Sequence, residues 1–399
     1  MITIAFALTA ITSLLLSLAS PWSRAPLWKA TVTPLASIIG SGFLVSAPLL
    51  VREFGGYAAP AMLLLILVAG MIGWTIRYNI RVVEPELARG GDRVLISLEE
   101  ISHVVLSFAY FVSVAYYLSL LGHFVLEAAG VQNDALAHNI AIALVLGLGL
   151  LGWLGGAERI ASLERYATAL NLSVIAGFLV TLGVFAALHL AGGDSVLPPP
   201  GRFEASSLPV LLGLLIVVQG FETSRFMEAE FDSDTRIRAM RLAQYVSGII
   251  YILFFLLLSP LFPQLAGGDG VAAIISVSAL VAGALPLSIT VAATASQLSA
   301  SVADSVGNTG LIRDLSHGRI DARHSYALVA VIGVTILIAS DVNEVIALAS
   351  RAFALFYALQ CLVAWEAARK RPGDRGKALI FAALAAVAVS VCLFGTPSE

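Results

Sequence analysis

Charge is what this sequence has least of. Only 12% of its 399 residues are Asp, Glu, Lys or Arg, about half the roughly 25% of an ordinary soluble domain. Cysteine is scarcer: Cys361 and Cys392 are the two in the chain. Both sit in apolar stretches, so a disulfide framework, a CxxC pair and a zinc pattern are excluded. No HExxH, GxSxG or Walker sequence occurs, and the loops lack His or carboxylate clusters at ligand spacing, so no enzyme is expected. A net charge of −3 without a basic stripe excludes a nucleic-acid partner. Lysine is nearly missing, three beside twenty arginines, which points to a GC-rich bacterial genome.

What is abundant is apolar surface. Hydrophobic residues make up 59% of the chain, and the 34 glycines bring the apolar share to about two-thirds. A soluble fold cannot hide that much, so the chain reads as an all-α integral membrane protein in a lipid bilayer. Apolar runs of about 20 residues, enough to cross a bilayer, fall near 3–20, 30–50, 57–76, 101–127, 136–155, 167–190, 207–224, 242–262, 272–303, 325–340, 343–366 and 378–395. The first is expected to be a helix and not a signal peptide: no Lys or Arg precedes it, and Pro21-Trp22 makes a poor cleavage region. Twenty of the 23 basic residues lie in alternate loops, from Arg24 and Lys29 to Arg375 and Lys377. The opposite loops hold Arg52 and Arg202, and Arg351 lies within a span. That asymmetry predicts both termini on the extracytoplasmic side of a bacterial inner membrane.

Two spans carry glycine in mid-membrane among polar residues. The second reads Ser37-Ile38-Ile39-Gly40-Ser41-Gly42-Phe43, between Pro34 and Pro48; the seventh reads Gln219-Gly220-Phe221-Glu222-Thr223-Ser224. A helix broken at that depth frees backbone groups, which is tolerable where they line a cavity or meet a ligand. Matching breaks in two halves predict a 5+5 inverted repeat of the transporter type. Residues 29–190 form the first repeat and 207–367 the second, within one membrane domain flanked by extra helices at 1–22 and 376–396. Close packing through small residues is the competing reading of the Gly40 and Gly42 run.

These same stretches resemble the amino acid–polyamine–organocation (APC) superfamily, which adopts the leucine-transporter fold. Ile38 to Val45 with Pro48 is similar to the family's first core helix. Glu84-Pro85-Glu86-Leu87 and Gly90-Gly91 stand where it has an acidic residue, Leu and a glycine pair. Gly220-Phe221-Glu222, followed by Glu228, Glu230, Asp232 and the arginines of 236–241, resembles the sixth core helix and its loop; Gly307-Asn308-Thr309-Gly310-Leu311 resembles the end of the eighth. The likeness spans 29–395 and implies a secondary transporter of a small amino acid, related amine or other organic solute. The Asp-Pro-Gly-Asn of metal-ion members is missing from the first core helix.

The expected substrate site therefore comprises Ser37, Gly40, Ser41 and Gly42, whose N–H groups would hold a carboxylate, and Gln219, Gly220 and Phe221, whose carbonyls would take an ammonium. Tyr110, Ser113 and Tyr117 share one helical face at i, i+3 and i+7 and are expected to line it. Ile216 stands where several family members have an aromatic residue. Charges inside a membrane are functional candidates because each costs roughly 2.5–3.5 kcal/mol or more at the centre. Glu222 is thus expected in coupling or bracing, and Arg351 in binding an acidic substrate group or pairing with Glu222 or Glu344. His103 and His123 read as helix-end residues. For coupling, the resemblance implies a sodium ion at hydroxyls of the eighth core helix, here Thr294 and Ser296. Asn171 occupies the place where proton-coupled relatives often carry Lys. A passive channel and a non-transporting sensor or assembly subunit are the alternatives; the major-facilitator fold lacks its Gly-x-x-x-Asp-Arg signature here.

Overall fold

The computed structural model describes residues 2–19, 25–155, 157–192, 200–228, 230–267 and 273–396. Twelve apolar helical segments run through it: α1 (Ile2–Ala19), α2 (Pro26–Phe54), α3 (Ala58–Leu87), α4 (Arg93–Ala128), α5 (Asp134–Gly155) and α6 (Ala157–Ala191). There follow α7 (Ser207–Phe226), α8 (Ser233–Leu258), α9 (Leu285–Leu315), α10 (Ala322–Ala339), α11 (Val342–Arg369) and α12 (Arg375–Phe394). Among the described residues eleven are long and apolar enough to cross a membrane, and α1 is a shorter apolar helix. Pro21, Trp22 and Arg24 lie outside the described residues.

Local chemistry sets many of the ends. Asp232, Asp321 and Asp341 each accept a bond from the backbone N–H three residues on, capping α8, α10 and α11; Asp341 and Glu344 form a full capping box. Pro85 lacks an N–H and crowds the preceding turn, and α3 widens into a five-residue π-turn, Asn79–Val83, just ahead of it. The run expected at 272–303 is not one span. A short helix, Ala273–Ser278, precedes a turn, and α9 starts at Leu285 with Pro286 in its first turn and continues to Leu315.

The second correction concerns α2, which is helical from Pro26 to Phe54 and is not broken at Gly40-Ser41-Gly42. It is wholly surrounded by protein, so freed backbone groups would have neither water nor lumen to face. A Cβ on Gly40 would stand 2.7 Å from the Ala300 Cβ of α9, and one on Gly42 would stand 2.5 Å from the Val217 Cβ of α7. Both glycines are there so that helices can touch. On the periphery α1 lies against α6, with Phe6 beside Gly177, and α12 lies along α11. Around α2 are packed α7, α8 and α9, which puts the interrupted helix α7 at the centre.

Candidate functional site

The break in α7 is local and well supported. Leu214–Val218 tightens to a 3₁₀ turn, Gln219 is extended, and Gly220 takes φ +115°, after which Phe221–Phe226 resumes as 3₁₀ helix. A left-handed φ favours glycine, and a Cβ there would also stand 2.5 Å from the Ser37 Oγ of α2. The freed backbone groups are taken up at once. The Val217 carbonyl accepts from the Tyr251 hydroxyl, which also reaches the Ile38 carbonyl at 3.1 Å. The Gly220 N–H donates to Glu222 Oε2 at 2.9 Å, and its carbonyl accepts from the Thr223 hydroxyl at 2.8 Å. An ammonium would therefore find side-chain oxygens here before backbone ones.

Those side chains form one buried cluster. Glu222 is fully buried and its Oε2 accepts from the Tyr357 hydroxyl of α11 at 2.8 Å, while Phe221 stacks on the Tyr357 ring with centroids 5.3 Å apart. From α4, Tyr117 accepts from Gln219 Nε2, and the Ser113 hydroxyl donates to Asp304 of α9. Tyr110 lies over Gly307 and edge-on to Phe353. Both carboxylates, Glu222 and Asp304, act electrostatically on Tyr110 and Tyr117. The hydroxyls of Tyr110 and Ser37 are buried with no hydrogen-bond partner among the described residues, the condition expected of groups that meet a ligand or water.

One turn beyond Glu222 a second polar network closes the end of the bundle where the basic loops gather. Arg225 is 3% exposed and meets Glu99 at 2.7 Å and Glu84 at 3.7 Å. Arg236 pairs with Glu84 at 2.7 Å and donates to the Arg225 carbonyl at 2.6 Å. Gln360 joins the pair from α11: it accepts from Arg225 and from Asn79 of the π-turn, and donates to Ser102 at 2.8 Å. His103, expected as a helix-end residue, instead lies 3.0 Å from Glu99 in this network. Five helices are thereby tied at one level.

A family model described as APC superfamily transporter matches residues 2–395. The chain belongs to the APC superfamily. A protein of Aquifex aeolicus strain VF5 described as uncharacterized is 36% identical over 398 residues, covering 96% of this chain and 95% of that one. Crystal structures of variants of the Eremococcus coleocola manganese transporter have the same fold, with a TM-score of 0.57 and 12% identity over 94% of this chain and 87% of theirs. At that identity the likeness is one of fold alone.

In this APC transporter the expected residues divide. Ser37, Tyr110, Ser113, Tyr117, Gln219, Gly220, Phe221 and Glu222 come together around the break. Gly40 and Gly42 are packing positions in an unbroken helix, and the side chain of Ser41 lies outside the described residues. Arg351 is exposed, and its Nε and Nη2 both donate to the Gly395 carbonyl, at 3.0 and 2.8 Å. It meets neither Glu222 nor Glu344, which caps its own helix. Thr294 turns its hydroxyl back onto the Thr290 and Val291 carbonyls. Asn171 donates to Ser296 Oγ at 2.9 Å, beside Thr168–Ser299 (3.0 Å) and close to Gly40. The reading of the sequence passed over Asp304, Tyr357, Arg225 and Gln360. Asp304 was legible as an intramembrane charge, but the span drawn to residue 303 ended one residue short of it.

Proposed function

We propose that this APC transporter is a secondary carrier for a small organic solute bearing an amine, working by alternating access about the break in α7. The observation that carries the reading is the pair of buried carboxylates, Glu222 and Asp304, set among the rings of Tyr110, Tyr117, Phe221 and Tyr357. No basic side chain pairs with Glu222 among the described residues. A carboxylate held in apolar surroundings is costly until a cation meets it, and aromatic faces add to the attraction for an ammonium. A free amino acid is disfavoured relative to an amine, because continuous α2 offers no open N–H groups for a carboxylate. Manganese belongs to the names of the fold neighbours, but among the described residues no three His, Cys, Asp or Glu side chains gather as a metal site.

For coupling we propose sodium near Ser296 and Asn171 without Thr294; a proton on Glu222 is the competing carrier. The bundle is read as the two five-helix repeats, 29–190 and 207–367, in a bacterial inner membrane with both termini outside and the Arg225 network sealing the cytoplasmic side.

Reconstitution into proteoliposomes tests the reading. Monoamines, diamines, zwitterionic amino acids and manganese are compared for saturable uptake and counterflow, with sodium replaced by choline. Amine counterflow is the expected result. Conductance without counterflow would make the protein a channel, and uptake unchanged in choline would end the sodium assignment.

A further inference from the structure

Arg351 remains without a role in the central cluster, and its surroundings give it another. The chain's last described residues do not trail away from α12. Gly395 ends that helix, and the Thr396 N–H donates to the Pro209 carbonyl in the first turn of α7 at 3.1 Å. Gly395 and Gly213 of α7 meet backbone to backbone: a Cβ on Gly395 would stand 3.2 Å from Gly213 N and Cα. Arg351, on α11, closes the arrangement with two N–H groups on the Gly395 carbonyl. The first half of α7 is thus clasped to α11 and α12. On its other side the strand ahead of it is fastened to the end of α2, where Arg202 N donates to the Phe54 carbonyl at 3.1 Å and Gly55 bridges Gly201.

We propose that Arg351 and the Gly395–Thr396 segment are a positioning clasp on the first half of α7. Each conformational change at the Gly220 hinge must move that half against either α2 or the α11–α12 pair, because it is bonded to both. The clasp is the weaker and more exposed tie, a forked guanidinium and one backbone bond, so it is the one whose making and breaking sets how often the half-helix moves. Hinges of this kind gate turnover without touching the substrate. The functional consequence rests on the transport reading above; the clasp itself does not.

Hydrogen–deuterium exchange on the full chain in nanodiscs tests it, with Arg351→Ala, Arg351→Lys and Thr396→Pro, which removes the N–H that reaches Pro209. Peptides covering 207–218 should exchange at least about fivefold faster in Arg351→Ala and Thr396→Pro, with 233–258 unchanged. Lys should rescue in part, since it lacks the planar fork. Unchanged exchange at 207–218 overturns the proposal, and so does a uniform rise that includes 233–258, which would make Arg351 a general packing residue. None of these readouts needs a substrate, so absence of uptake would count against the transport reading and leave the clasp to stand or fall by itself.

Discussion

Glu222 is the residue on which most converges. Its carboxylate holds the Gly220 N–H that the break exposes and also receives the Tyr357 hydroxyl, so it braces the bend while offering charge to the cluster. Glu222→Gln keeps the shape and removes the charge. Amine uptake should fall by tenfold or more, about 1.4 kcal/mol, with a normal elution profile and melting temperature; retained uptake would return Glu222 to bracing alone. Gly220→Ala acts on the backbone instead. A side chain at φ +115° beside Ser37 should cost about 1–3 kcal/mol, read as a lower melting temperature together with lost uptake. A stable variant would mean that the bend relaxes without glycine.

At the level of elements, the contrast lies between α2 and α7. Both carry mid-span glycines among polar residues, yet one is continuous and the other bent. In α7 the neighbours of Gly220 can absorb the freed groups, through Glu222, Thr223 and Tyr251. In α2 the glycines face Ala300 and Val217 at contact distance, so their use is proximity. Gly42→Val should therefore disturb folding before it disturbs binding. Forced overpacking typically costs about 1–3 kcal/mol or more, expected as reduced yield of monodisperse protein. Wild-type yield with abolished uptake would bring back the ligand role. The α11–α12 hairpin gives a pH test. Lys370 bonds Asp92 at 2.6 Å, which holds that carboxyl below its ordinary range. The contact is present at neutral pH and its contribution is lost only as pH falls through that lowered value. In Asp92→Asn the acid limb of a melting-temperature profile should flatten; an unchanged limb would assign the acid loss to other carboxylates.

For the whole molecule the Arg225 network is the expensive feature. Removing one partner of a buried pair strands the other, at roughly 3–5 kcal/mol. Arg225→Gln should accordingly be poorly folded, and Glu99→Gln in the same chain should restore much of the loss. The cycle of single and double variants, read by melting temperature, should give a clear coupling energy. Simple additivity would show that the two residues act independently. Because Arg225 sits one turn from Glu222, and Gln360 one turn from Tyr357, the central cluster and the seal share the same two helix faces. A change at the first has a short path to the second.

The sequence by itself determined that the chain is an all-helical membrane protein of about twelve segments, that it is related to APC transporters, and that α7 is interrupted at Gly220. Hydropathy, charge asymmetry and a glycine among polar residues are one-dimensional properties, and solvent and backbone sterics act on them locally. Tertiary structure decided the rest. Whether a glycine opens a helix or lets another helix approach depends on what faces it, and Gly40 and Gly42 face α9 and α7. Whether an intramembrane arginine reaches a site depends on its side of the bundle, and Arg351 points to the end of α12. Asp304 and Glu222 lie 82 positions apart in the chain, and only the packing of α4 between α7 and α9 sets both carboxylates around the same tyrosines.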